Sequence, residues 1–147
     1  MNAITATERP RWVMIASIIL LLWNLIGIGS FVMQWNVAHN ALESLPPAQQ
    51  AMWKAMPGWA WGAYAIAVGA GAGALGTIGL VMRKGWAVPL LALSLIAVLI
   101  QFFNAFVLQD GIATVGANAV YFPLFIIAVG IVQWVLALRW RGAGWLA

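Results

Sequence analysis

Polar residues withdraw from four long blocks of the chain, about Trp12–Gln34, Gly58–Met82, Ala87–Leu108 and Asn118–Leu138. Each block meets the roughly 20 apolar residues that a helix needs to cross about 30 Å of hydrocarbon. Lipid tolerates a backbone only where its amides are satisfied within the segment or around a closed barrel. Continuous apolar runs, as opposed to alternating ones, therefore select helices. The pattern predicts an all-α membrane protein, a single domain over 1–147 with four transmembrane helices in an antiparallel bundle. Between the first two blocks, Ser44 is a candidate N-cap, Pro46 and Pro47 suit a first turn, and Pro57 suits a stop. Ala48, Met52, Ala55 and Met56 share one face there, while Gln49, Gln50 and Lys54 lie away from it. This patterning predicts a short helix in the membrane interface over about 46–56.

Composition strengthens the membrane reading. Of 147 residues, 65% are apolar and only 7% charged, against about half and a quarter in soluble domains. Most routes to a hydrolase, a nucleic-acid reader or a disordered tail need charges this chain lacks. The net charge of +4 comes from paired basic residues between blocks and forms no nucleic-acid patch. Arg9 and Arg11, Arg83 and Lys84, and Arg139 and Arg141 flank one set of helix ends, whereas Lys54 stands with Glu43 and Asp110 at the other. By the positive-inside rule both termini are expected in the cytoplasm. With no cysteine, disulfides, thiolate chemistry and Cys-ligated metal are excluded.

No Asp, Glu, Lys, Arg or His falls within the four blocks, which argues against proton relays, ion-coupled transport and charged ligands. The intramembrane polar groups are neutral. At 1.5 Å rise per residue, Asn24 and Gln101 fall about 18 and 21 Å from the basic ends, and Asn104, Tyr64 and Tyr121 near 26 Å. Thr77 and Gln133 fall near 7 Å. Asn24, Gln101, Asn104, Tyr64 and Tyr121 are the candidate ligand cluster, for a neutral group such as a sugar or a quinone head. The competing use of the same groups is interhelical hydrogen bonding. In the second block Ala65, Gly69, Gly73 and Thr77 recur every four residues, a small-residue seam for close helix packing. His39, the only histidine, is read as a residue of the outer loop, and no metal or cofactor is expected. Most tryptophans, including Trp12, Trp35, Trp61, Trp86, Trp140 and Trp145, stand at block edges, as aromatic belts do. The two halves share no motif, so an inverted-repeat transporter is not supported.

The segments Leu21–Gln34, Pro47–Val68, Arg83–Gln101 and Phe103–Leu108 resemble a family of small four-helix bacterial inner-membrane proteins, often labelled hypothetical or sugar transporter. The WN of the first block, the P-x-W after the outer loop and the WAVP opening the third carry the resemblance. It implies a multi-pass protein of the bacterial inner membrane and assigns no active residues. The expectation is a non-catalytic accessory or binding subunit, with the bilayer and other transmembrane subunits or its own copies as partners and no nucleic acid. The alternative is a small homo-oligomeric transporter of a neutral solute such as a sugar.

Overall fold

The computed structural model describes residues 8–68 and 73–147. Four apolar helical stretches are long enough to cross a membrane: Arg11–Asn40, Gly58–Val81, Ala87–Leu108 and Ala117–Gly142. The first is α1 (Arg11–Asn40); the second contains α3 (Gly58–Val68) and α4 (Gly73–Val81). The third is α5 (Ala87–Phe103) followed by a widened turn over Asn104–Leu108, and the fourth centres on α7 (Tyr121–Gly142). Short helices α2 (Pro47–Lys54) and α6 (Gly111–Val115) fill the connections at one end of the bundle, and no strand occurs among the described residues. α3 and α4 pack between α1 and α5, and α5 packs on α7.

Several boundaries depart from the sequence expectation. α1 runs six residues past Gln34, because groups four apart keep bonding along it. The Asn40 amide donates to Asn36 Oδ1 at 2.7 Å, and the His39 ring stacks on Trp35 with centroids 4.0 Å apart. His39 therefore sits on the last turn of α1 and not in a loop, with Nδ1 2.8 Å from the Trp35 carbonyl. Ser44 caps no helix; it closes a 3-10 turn, its hydroxyl donating to the Ala41 carbonyl at 2.6 Å, while α2 starts directly at Pro47. Proline serves there because its missing N–H and fixed φ suit a first turn.

The basic residues meet at one end. Arg9 Nη1 donates to the Leu80 carbonyl at 2.8 Å, and Arg83 Nε donates to the Trp145 carbonyl at 3.2 Å. Burial lowers the pKa of Arg9, and the neighbouring Arg83 charge adds to the effect. The Arg9 guanidinium thus adds a second donor to a carbonyl in the last turn of α4, and that of Arg83 ties the segment after α7 to the same end. α4 ends in a Schellman motif, with Lys84 N–H to Gly79 O at 2.8 Å and Arg83 N–H to Leu80 O at 3.2 Å; Arg83 takes the left-handed position at φ 62°. α7 ends the same way around Gly144, and the last residues dock on the α4–α5 turn through Ala147 N–H to Arg83 O at 2.8 Å.

Packing is densest at this basic end, where Val13, Leu80, Ala87, Val88, Leu91, Ala137, Trp140 and Leu146 form the main core. Trp140 is buried in it, and Trp61 is buried at the other end, so neither lies in a surface belt. Glycine permits the approach of α5 to α4: a Cβ at Gly76 would lie 2.8 Å from the Leu91 side chain, and one at Gly79 2.8 Å from the Trp86 ring. Of the every-fourth-residue seam, Gly73 and Thr77 are buried. Ala65 is half-buried and lines an open groove with Trp35 and Gly62. Gly69 lies outside the described residues.

Candidate functional site

The half of the bundle away from the basic core is packed differently. Its small core of Ala67, Ala97 and Val98 leaves a cavity of about 280 Å3 among α1, α3, α5 and α7. α1 supplies one wall because Asn24, Gly27, Ser30 and Gln34 recur at spacings of three and four, which keeps them on one face of the helix.

At the level nearer the basic end, the Asn24 amide donates to the Leu20 carbonyl of its own helix at 2.8 Å and to Gln133 Oε1 of α7. Both side chains are buried, Asn24 at 6% and Gln133 at 4% exposure. Beside them the Ser94 hydroxyl of α5 donates to the Ala67 carbonyl at 2.6 Å. Gly73 fits against this group because it carries no side chain: a Cβ there would overlap Asn24 Oδ1 and the Ala67 carbonyl oxygen. At the level farther out, Gln34 Nε2 donates to Tyr64 OH and to Ser30 Oγ, both at 2.9 Å, and the two hydroxyls lie 3.2 Å apart. Gln101 lines the cavity between these elements with no hydrogen-bonding partner among the described residues. The remaining walls are apolar, with Trp23, Phe102 and Phe122 contributing rings. Low-dielectric walls make each neutral donor or acceptor count for more than it would in water.

The five residues of the sequence-derived cluster separate. Asn24, Tyr64 and Gln101 line the cavity together, but Gln101 is not level with Asn24: it stands seven residues, about 10 Å, beyond Ser94, which shares the Asn24 level beside Gly73. Asn104 is buried in the widened turn that ends α5, and Tyr121 points outward with 71% of its surface exposed; neither lines the cavity. Gln133 is not level with Thr77. α7 runs to Gly142, four residues beyond the sequence boundary, so Gln133 stands about 14 Å from that end and reaches Asn24. Thr77 instead turns back on its own helix, 3.0 Å from the carbonyls of Gly73 and Ala74. Ser30 and Gln34 were missed as site residues; their signal was the polar stripe on α1.

Among the described residues no cluster of three His, Asp or Glu could hold a metal. Comparison of the chain with family models, curated proteins and solved structures finds no match.

Proposed function

We propose that this chain is a non-catalytic multi-pass membrane protein that holds a small neutral molecule inside its own four-helix bundle. It would act as a binding subunit beside partner transmembrane subunits or further copies of itself. The cavity carries this reading. It is lined by seven neutral polar side chains and no charged one, set in apolar walls, the make-up of a site that orients a ligand without ionising it. The alternative of a homo-oligomeric transporter for a neutral solute such as a sugar gains less support, since all seven polar side chains that line the cavity come from the four spans of one chain.

The direct test is mass spectrometry of small molecules that co-purify with protein extracted into nanodiscs. A neutral compound is expected at up to one per chain, and Val98→Phe, which puts a ring into the cavity, should abolish its retention while leaving the protein folded. Equal retention by both proteins would overturn the reading.

The inferred setting is a bacterial inner membrane, as the resemblance of the sequence implies, with both termini in the cytoplasm, an orientation that the six basic residues at one end of the bundle support. A single cysteine at Ala48, exposed on α2, should react with an impermeant thiol reagent applied to intact cells, and one at Gly142, exposed at the end of α7, should not. The reverse labelling would invert the topology. The same setting puts α2 in the outer interface.

A further inference from the structure

Where the cavity reaches the membrane is fixed by residues that line it and face outward at once. Ile26 of α1 is 68% exposed and Phe122 of α7 is 64% exposed, and both line the cavity. α1 and α7 touch toward the basic end, through the edge-on rings of Trp12 and Trp140 and through Asn24 and Gln133, and the Trp23 ring meets that of Phe125 edge-on at 5.5 Å one turn inward of Ile26 and Phe122. Beyond those contacts the cavity opens between them, with Ile26 about 22 Å from the start of α1, within the roughly 30 Å of hydrocarbon that a span crosses. A molecule using this mouth comes from the bilayer and not from water.

The polar groups inside stand at two levels. Asn24 and Ser30 are six residues apart on α1, about 9 Å along its axis, and Ser94 and Gln101 are seven apart on α5, about 10 Å. The intervening wall is apolar and partly aromatic. Gln133 uses its carbonyl oxygen for Asn24, so its amide nitrogen keeps N–H donors with no partner among the described residues at the inner level. Gln101, with two donors and one acceptor uncommitted among the described residues, serves the outer level beside Tyr64.

Resting on the binding role proposed above, we infer that the ligand is a neutral, flat ring with hydrogen-bond acceptors on opposite edges and an apolar tail, the chemistry of a prenylated quinone. The ring lies between the two levels, accepting from Gln133 at one edge and from Gln101 at the other. With a hydrogen bond of about 2.8 Å at each end, such a ring spans the gap. The tail trails through the mouth between Ile26 and Phe122 into the bilayer. A sugar ring fits poorly, because its hydroxyls all round the rim would face Trp23, Val98 and Phe122 unpaired, and buried unpaired hydroxyls are costly.

The test is saturable binding to protein in nanodiscs, measured against empty nanodiscs, with three radiolabelled probes sharing a ten-carbon tail: a decyl benzoquinone, decyl glucoside and decanol. The benzoquinone is expected to saturate at one per chain. Gln101→Met, close in size to glutamine, should weaken it about tenfold by removing one hydrogen-bonding amide, with unchanged melting temperature. Ile26→Trp, which crowds the mouth without touching either polar level, should slow association. Saturable glucoside binding without benzoquinone binding would overturn the quinone assignment and leave the binding role standing. Equal binding of all three would also overturn it, because the tail alone would then be the ligand. Absence of saturable binding for every probe by folded protein would overturn the binding role as well. A Gln101→Met variant with full affinity would remove the outer-level contact from the proposal, and with it the two-edged ring.

Discussion

Replacing Gly73 with leucine is expected to abolish folded protein in detergent, while leucine at Gly62, only eleven residues earlier in the same apolar stretch, leaves yield and melting temperature nearly unchanged. The two glycines are alike in sequence context and opposite in surroundings. A Cβ at Gly62 would meet nothing within 4 Å, whereas one at Gly73 would overlap Asn24 Oδ1 and the Ala67 carbonyl oxygen, with Ser94 Oγ only 3.3 Å away. Asn24 is held by its bonds to Leu20 and Gln133, and a backbone carbonyl cannot swing aside as a flexible side-chain end can. Overpacking of a well-filled site typically costs about 1–3 kcal/mol and occasionally more. Gly73→Ala should already lower the melting temperature, and the larger leucine should exceed the stability of a bundle this small. Size-exclusion profiles and thermal melts of the three variants check this. A Gly73→Leu protein as monodisperse and heat-resistant as Gly62→Leu would show that α4 does not seat against α1 and α5 as described.

What the sequence revealed, and what it hid, follows from the kind of signal each feature leaves. The four spans were legible because hydrocarbon imposes one demand on some 20 residues at a time, and no local exception in Gly58–Val81 or Ala87–Leu108 outweighs the sum. The basic end was legible because Arg9, Arg83 and Arg141 each stand beside a span. The site was only partly so. Depth counted from a helix end inherits any error in where that end lies, and four extra residues on α7 moved Gln133 from the Thr77 level to Asn24. Asn104 sits at a depth like that of Tyr64, yet depth says nothing about the direction a residue faces, and the same four residues on α7 carry Tyr121 out to about 32 Å from its end. Asn104 continues the α5 backbone with φ −57° and ψ −50°, three residues past Gln101, and is buried away from the cavity at the start of the widened turn that Gln109 N–H closes on its carbonyl at 2.9 Å. Ser30 and Gln34 could have been found, since they extend the face of α1 that Asn24 and Gly27 begin. Trp140 and Trp61 misled for another reason: a tryptophan near a span end satisfies a belt and a core equally well until its neighbours are known.

Trp140→Ala is expected to be the most damaging truncation in the chain. Its side chain is 2% exposed and the largest of those fully enclosed, set among Val13, Leu80, Ala87 and Leu146. Removing an enclosed tryptophan typically costs about 3–5 kcal/mol. Lipid outside the bundle lowers the transfer contribution, because indole leaving the core does not gain water, but the lost packing contacts and the void remain. Two further contacts fail with it. The Trp12 ring, packed edge-on at 6.0 Å, loses one of its two ring partners and keeps only Trp145 at 6.2 Å, which weakens the closure of α1 on α7 at the basic end. Leu146, buried against the same cluster, loses part of the surface that holds the final residues onto the α4–α5 turn. Trp140→Phe keeps an aromatic ring in the site and should cost less than half as much. The consequence reaches the cavity, since this contact helps the Asn24–Gln133 bond and the Trp23–Phe125 ring pair hold α1 to α7 on the basic side of the mouth. Cysteines placed at Met14 and Arg139, with a thiol crosslinker of fixed span, should therefore crosslink efficiently in the wild-type background and poorly with Trp140→Ala, even in whatever fraction stays folded. Unchanged crosslinking and an unshifted melting temperature would mean that the bundle is held by its middle and not by this core, and that the mouth does not depend on the basic-end clasp.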